Sequence, residues 1–137
     1  MMQIMNRIRA IFRKARVRRV NDNADTQELQ VELLKGEVRT AQRIQSYGFS
    51  SVPPIGADAV VAQVGASNEH LIALGDVDPS VRPIGRSAGQ VSLYTEEGEL
   101  IKLEAGPTIT LQAGTSSIVI EDGQITIIAA SIRLLSS

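Results

Sequence analysis

Gly89-Gln-Val-Ser-Leu-Tyr-Thr-Glu-Glu-Gly98, Glu99-Leu-Ile-Lys-Leu-Glu-Ala-Gly106, Pro107-Thr-Ile-Thr-Leu-Gln-Ala-Gly114, Thr115-Ser-Ser-Ile-Val-Ile-Glu-Asp-Gly123, Gln124-Ile-Thr-Ile-Ile-Ala-Ala-Ser131 and Ile132-Arg-Leu-Leu-Ser-Ser137 decide how this chain folds. Each unit carries an apolar pair two residues apart, and most units end in Gly. The pairs are Val91/Leu93, Ile101/Leu103, Ile109/Leu111, Ile118/Ile120, Ile125/Ile127 and Ile132/Leu134. Successive pairs lie 10, 8, 9, 7 and 7 residues apart, a period that marks a repeat architecture. A spacing of two puts both members of a pair on one face of a strand. A single-chain β-solenoid needs coils of roughly 20 residues to surround its own core. These units supply only one side of such a coil. A lone copy would expose an apolar face and open strand edges. Three copies wound about one axis would cover both, as an intertwined trimeric β-helix whose core holds all six pairs. Gly-terminated alternation also marks hairpins, so a flat antiparallel meander is the alternative geometry.

The preceding region reads as a small barrel. Ala15–Val20 is a first strand, and Asn21–Asp25 a polar turn. From Gln27 to Leu34 the chain alternates, with Leu29, Val31 and Leu33 on one face. Lys35-Gly36 is a turn or bulge. Residues 37–47 suit either a helix or a strand. Pro53-Pro54 holds residues 50–56 as a loop. Ala59-Val60-Val61-Ala62 lies in a buried strand over 58–64, and residues 70–74 return. Five short strands in this span suggest an oligonucleotide/oligosaccharide-binding (OB) barrel over 17–75. Residues 76–88, with Pro79, Pro83 and Gly85, read as a linker, and 89–137 as the repeat region.

Charge divides along the chain. The net charge is −1, yet the first 20 residues hold 7 of the 14 basic side chains and no acid. Ile4, Ile8, Ile11, Phe12 and Ala15 recur at helical spacing, so 1–16 is expected to form a basic amphipathic helix. Its apolar face, Ile4, Ile8, Ile11 and Phe12, is the candidate docking surface for a partner protein.

Composition excludes several chemistries. There is no Cys, so disulfides and thiolate metal sites are absent. His70 is the lone histidine, which rules out a three-His zinc site in one chain. No apolar run reaches the roughly 18 residues a bilayer-spanning helix needs. His70 sits at a strand start beside Glu69, and neighbours on a strand face opposite ways, which argues against a catalytic base. Asp76/Asp78, Glu96/Glu97/Glu99 and Glu121/Asp122 fall beside Gly or Pro in expected turns and read as solvated loops. No catalytic, cofactor or metal residues are assigned, and the chain is not expected to be an enzyme. An OB module that binds nucleic acid is the alternative function. Against it, residues 21–75 hold Lys35, Arg39 and Arg43 but seven acids: Asp22, Asp25, Glu28, Glu32, Glu37, Asp58 and Glu69.

Three stretches resemble a known family: Leu34-Lys-Gly-Glu-Val38, Tyr47-Gly-Phe-Ser-Ser-Val-Pro-Pro-Ile-Gly-Ala-Asp-Ala-Val-Val61, and Gly89 to Leu103 leading into the repeats. Together they are similar to the baseplate assembly protein V family, the central tail spike of contractile-tailed phages and related injection machines. The resemblance implies an OB-fold domain, a trimeric β-helix and a homotrimer beneath the tail-hub proteins in the virion baseplate. It implies a mechanical part driven against the bacterial outer membrane when the sheath contracts, touching that membrane only transiently. Many members end in a His-x-His tip that holds iron. These repeats contain no His, so no metal is assigned; either a separate tip protein covers the end left by Ile132, Leu134 and Leu135, or this chain is a shortened form.

Overall fold

The computed structural model of the chain describes residues 11–65 and 69–135, the side chain of Lys35 excepted. The chain divides after Ser80 into two compact units. Both are built from strands, and the described residues contain no helix beyond one 3-10 turn.

The first unit holds β1 (Phe12–Asn21), β2 (Glu28–Glu32), the 3-10 turn Leu34–Gly36, β3 (Val38–Arg43), β4 (Asp58–Gln63) and β5 (Leu71–Val77). They close as a barrel in the order β1-β2-β3-β5-β4, with β4 returning to β1. Every neighbouring pair is antiparallel except β3 and β5, which run parallel. That order is the OB-like barrel expected from the spacing of the strands. Closure leaves no open sheet edge, which suits a unit of modest core.

Alternation explains the interior. Ala15 and Val17 of β1, Leu29 and Val31 of β2, Ala41 of β3, Ala59 and Val61 of β4, and Leu71 and Ala73 of β5 point inward and are buried. Seven of these nine are Ala or Val, so the barrel fills without aromatics. Residues 37–47, open between helix and strand, resolve as β3, because Ala41 must face Leu29 across the β2–β3 ladder. Gly36 takes a φ of 76°, which admits the tight turn between β2 and β3.

The expected N-terminal helix is corrected over residues 11–16. Ile11 precedes the first strand, and Phe12–Arg16 are strand residues paired with Ala62–Asp58 of β4. The helical spacing of Ile11 and Ala15 coincides with a strand alternation in which Ala15 and Val17 are buried. Completing a barrel wall outweighs a short amphipathic pattern. Ile4 and Ile8 lie outside the described residues. The correction also moves cations: Arg13, Lys14, Arg16, Arg18 and Arg19 belong to β1, not to a separate arm. Arg16 lies 3.7 Å from Asp58, and Arg18 bonds Glu32.

The second unit is a five-stranded sheet: β6 (Val91–Tyr94), β7 (Leu100–Leu103), β8 (Ile109–Ala113), β9 (Ser116–Glu121) and β10 (Gln124–Ile128). Consecutive strands pair antiparallel, in the order β10-β9-β8-β7-β6. Within one chain the repeats therefore take the meander geometry. Gly114, with φ 57°, turns β8 into β9 in a two-residue loop, and Asp122-Gly123 does the same between β9 and β10.

Candidate assembly face

The register of the sheet brings the repeat pairs together. Val91 opposes Leu103, which opposes Ile109, then Ile120, then Ile125. One step along the strands, Leu93 opposes Ile101, then Leu111, Ile118 and Ile127. Directly paired residues share a face, and so do residues two apart. All ten side chains therefore form two parallel rows on one face. Among the described residues nothing buries them: their exposures run from 36% to 66%.

The opposite face is polar along its central row, from Ser92 through Lys102 and Thr110 to Thr126, with Val119 between the last two. These residues are only partly exposed, so the polar face is better covered than the apolar one. The usual arrangement, apolar in and polar out, is inverted. An exposed apolar patch of this size marks an interaction site. Near its C-terminal end the face deepens into a groove of about 500 Å³ bounded by Ile101, Leu111, Ile118, Ile127 and Ile132.

The sixth pair behaves differently. Ile132 and Leu134 lie beyond β10 in irregular chain, so they join neither row. β10 is an edge, and a sixth strand would have to pair on it to extend the ladder. Leu134 is 92% exposed and Leu135 nearly as much. Of the expected docking residues, Ile11 and Phe12 are exposed at the start of β1, on the barrel rather than on a helix.

A feature that the sequence concealed closes one side of the barrel. Arg43, at the end of β3, is buried with side-chain exposure of 8%, against 17% for Asp76. Its Nε donates to Asp76 Oδ1 at 2.7 Å, and its Nη1 donates to Gln27 Oε1 at 2.8 Å. Nη1 also donates to the Ser51 carbonyl, and Nη2 to Ser51 Oγ at 2.9 Å. Gln27 Nε2 in turn donates to Asp22 Oδ1 at 2.6 Å. Among the described residues no buried side-chain nitrogen or oxygen lacks a partner. Asp76, expected in a solvated linker, is thus a β5 residue held by a buried guanidinium. Arg43, counted among the barrel's cations, is not available to a phosphate. No pattern of neighbours in the sequence could have matched residues 33 positions apart.

The other carboxylates are as open as expected. Glu96, Glu97 and Asp122 are exposed in turns, and Glu121 is exposed at the end of β9. Glu99 accepts a hydrogen bond from the Thr95 hydroxyl, which holds its carboxyl below the usual range; its own backbone N–H adds to the effect. Asp78 is lowered in the same sense by the Ser80 hydroxyl and then by the Ser80 N–H. Among the described residues no group of three or more His, Asp or Glu side chains is placed to hold a metal. His70 is exposed just before β5, in the barrel unit.

Comparison with known proteins agrees with the barrel first. The family model described as bacteriophage Mu Gp45, N-terminal, matches residues 14–80, a span that opens in β1 and ends at the division between the two units. The chain belongs to the Mu Gp45 family of baseplate proteins. It is 39% identical over 101 residues to the baseplate puncturing device gp45 of Escherichia phage Mu, covering 73% of this chain and 51% of that protein. It is 40% identical over 111 residues to the Mu-like prophage FluMu protein gp45 of Haemophilus influenzae, covering 74% of this chain and 60% of that one. The chain thus spans about half to three-fifths of the length of these curated relatives. A place in the virion tail baseplate follows from the family.

Proposed function

We propose that this chain is the structural central spike of a contractile-tail baseplate, a homotrimer whose three sheets turn their apolar faces to a common axis. The ten aligned side chains on one uncovered face carry this reading. Strand length supports three copies. Packed sheets lie about 10 Å apart, so each face stands about 5 Å from the axis. A triangular prism of that depth has faces about 17 Å wide, or roughly five residues of strand. β6–β10 are four to six residues long. Rows two residues wide fill such a prism, whereas a two-sheet sandwich sets no limit on strand length.

In this reading the prism is the rigid part that is driven against the bacterial outer membrane on sheath contraction, as the name of the Mu relative suggests. The chain is a mechanical component rather than a catalyst. The basic N-terminal segment joins it to the tail hub. The apolar irregular segment ending at Leu135 is where a tip component would seat. Light scattering on the purified chain tests the proposal. A particle of three times the 14.7 kDa chain mass is expected. A monomer, or a dimer, would refute the prism.

A further inference from the structure

The β3–β4 loop, residues 44–57, is the longest connection in the barrel and contains no Asp, Glu, Lys, Arg or His. In a chain where 21% of residues are charged, that is a distinct surface. It is also apolar: Ile44, Tyr47, Phe49, Val52 and Ile55 are all exposed, Tyr47 fully (104%) and Phe49 by 62%. Half of the chain's four aromatic residues stand here in solvent.

The loop is nonetheless fixed. The Arg43 guanidinium holds the Ser51 carbonyl and hydroxyl from below. Gln45 Oε1 accepts from the Ser51 N–H at 2.9 Å. The Phe49 N–H donates to the Ser46 carbonyl at 3.0 Å, closing the turn that lifts Tyr47. At the far end, Pro53 is buried, and the Gly56 N–H donates to the Val17 carbonyl at 2.8 Å. The backbone is tied to the barrel at both ends and in the middle while its large side chains face outward. Anchors held in place this way lose little entropy on binding.

We propose that this loop is a docking knob for a different baseplate protein, one that offers an uncharged apolar socket. Charge selects the partner class. A loop without cations gives no purchase to nucleic acid or to anionic lipid. The hollows on a second copy's barrel suit it poorly. Two of them, about 140 Å³ and 260 Å³, are lined by Arg13, Glu37 and Arg39 and by Glu69 and His70. An aromatic ring placed there would strip water from charged groups without replacing it. The apolar groove of the sheet is the face already given to self-assembly. The proposal rests on the chain's place in a baseplate and not on the number of copies.

The test is photo-crosslinking in assembled tail particles with Tyr47→benzoylphenylalanine, and with the same probe at exposed Asn23 as a control. An adduct to a different baseplate protein from position 47 but not from 23 is expected. Adducts only to another copy of this chain, or no adduct, would overturn the proposal. The Tyr47→Ser/Phe49→Ser variant should keep the wild-type particle size and melting temperature but enter tail particles roughly 10- to 100-fold less well, as loss of one or two aromatic anchors implies. Undiminished incorporation overturns the docking role. So does wild-type binding to phosphatidylcholine vesicles that the variant loses, since lipid would then be the occupant. Light scattering on the same samples reads the trimer separately, so failure of one reading does not pass for failure of the other.

Discussion

Replacing Ile118 with Asp tests the assembly face. Ile118 stands between Leu111 of β8 and Ile127 of β10, inside one apolar row and flanked on both sides. In the isolated chain it is 38% exposed, so an aspartate there still reaches water and the sheet is not forced apart. In the prism, three such residues meet at the axis. Completing the burial of Ile118 is worth roughly 0.6–1.1 kcal/mol per copy, taking about 1.5–3 kcal/mol for a whole side chain, and about 2–3 kcal/mol for three. The aspartates forfeit that gain and add three unpaired like charges, each costing several kcal/mol to desolvate. The total exceeds about 10 kcal/mol, enough to move a trimer stable at nanomolar concentration to monomer at micromolar. Gln112→Asp is the matched control. It places the same charge one residue from Leu111 but on the opposite, exposed face. Light scattering should read a monomer for Ile118→Asp and a trimer for Gln112→Asp, with the far-ultraviolet spectrum of the barrel kept in both. A trimeric Ile118→Asp would place the two rows outside the core and refute the inward-facing sheet.

Other outcomes follow from the same geometry. Arg43→Met should destabilise the barrel by about 3 kcal/mol or more, because Asp76 is left nearly buried without its partner; calorimetry should show a melting point lower by at least about 10 °C, and a further Asp76→Leu change should recover part of it. Glu99, lowered by the Thr95 hydroxyl, supports the β6–β7 turn above its ordinary value of 4.5 and loses that support as pH falls through its lower folded value. Thr95→Val should raise the Glu99 pKa toward 4.5 in a carbon-detected titration; an unchanged value would assign the shift elsewhere. Removing residues 1–10 should leave a folded barrel, whereas removing 1–16 takes the whole β1–β4 ladder and the Arg16–Glu32 pair of the β1–β2 ladder and should abolish it, a contrast visible by circular dichroism.

The sequence disclosed the two units unequally, for physical reasons. Strand periodicity is local, so the alternation at Leu29, Val31 and Leu33 and the paired spacing of the repeats were legible, and the registers later aligned them. The first strand was partly misread because Ile11 and Ala15, four apart, satisfy two periods at once, while Phe12 fits only the helical one. A run of a few residues cannot separate 3.6 from 2 when the deciding contacts, here with Ala59–Ala62, lie more than 40 positions away. The Arg43–Asp76–Gln27–Ser51 cluster was invisible for the same reason. Each member is an ordinary polar residue in an ordinary loop or strand, and only closure of the barrel makes the group a buried network.

The two units answer the edge problem in opposite ways, and that contrast bears on function. The barrel returns β4 to β1 and leaves no strand unpaired, so it can be complete as a single copy. The sheet ends openly at β6 and β10 and turns its better-covered face toward the polar side. Short strands and two-residue turns at Gly114 and Gly123 keep it narrow, so its apolar rows never become wide enough to bury one another by folding over. A chain of this design cannot satisfy its C-terminal half alone. In the proposed trimer, the same narrowness that denies the sheet a core of its own would give three copies a common one, with every strand laddered to the next along the stacking direction. The laddering, not the slenderness, is what would oppose bending under axial load, because buckling would have to break rows of backbone hydrogen bonds together.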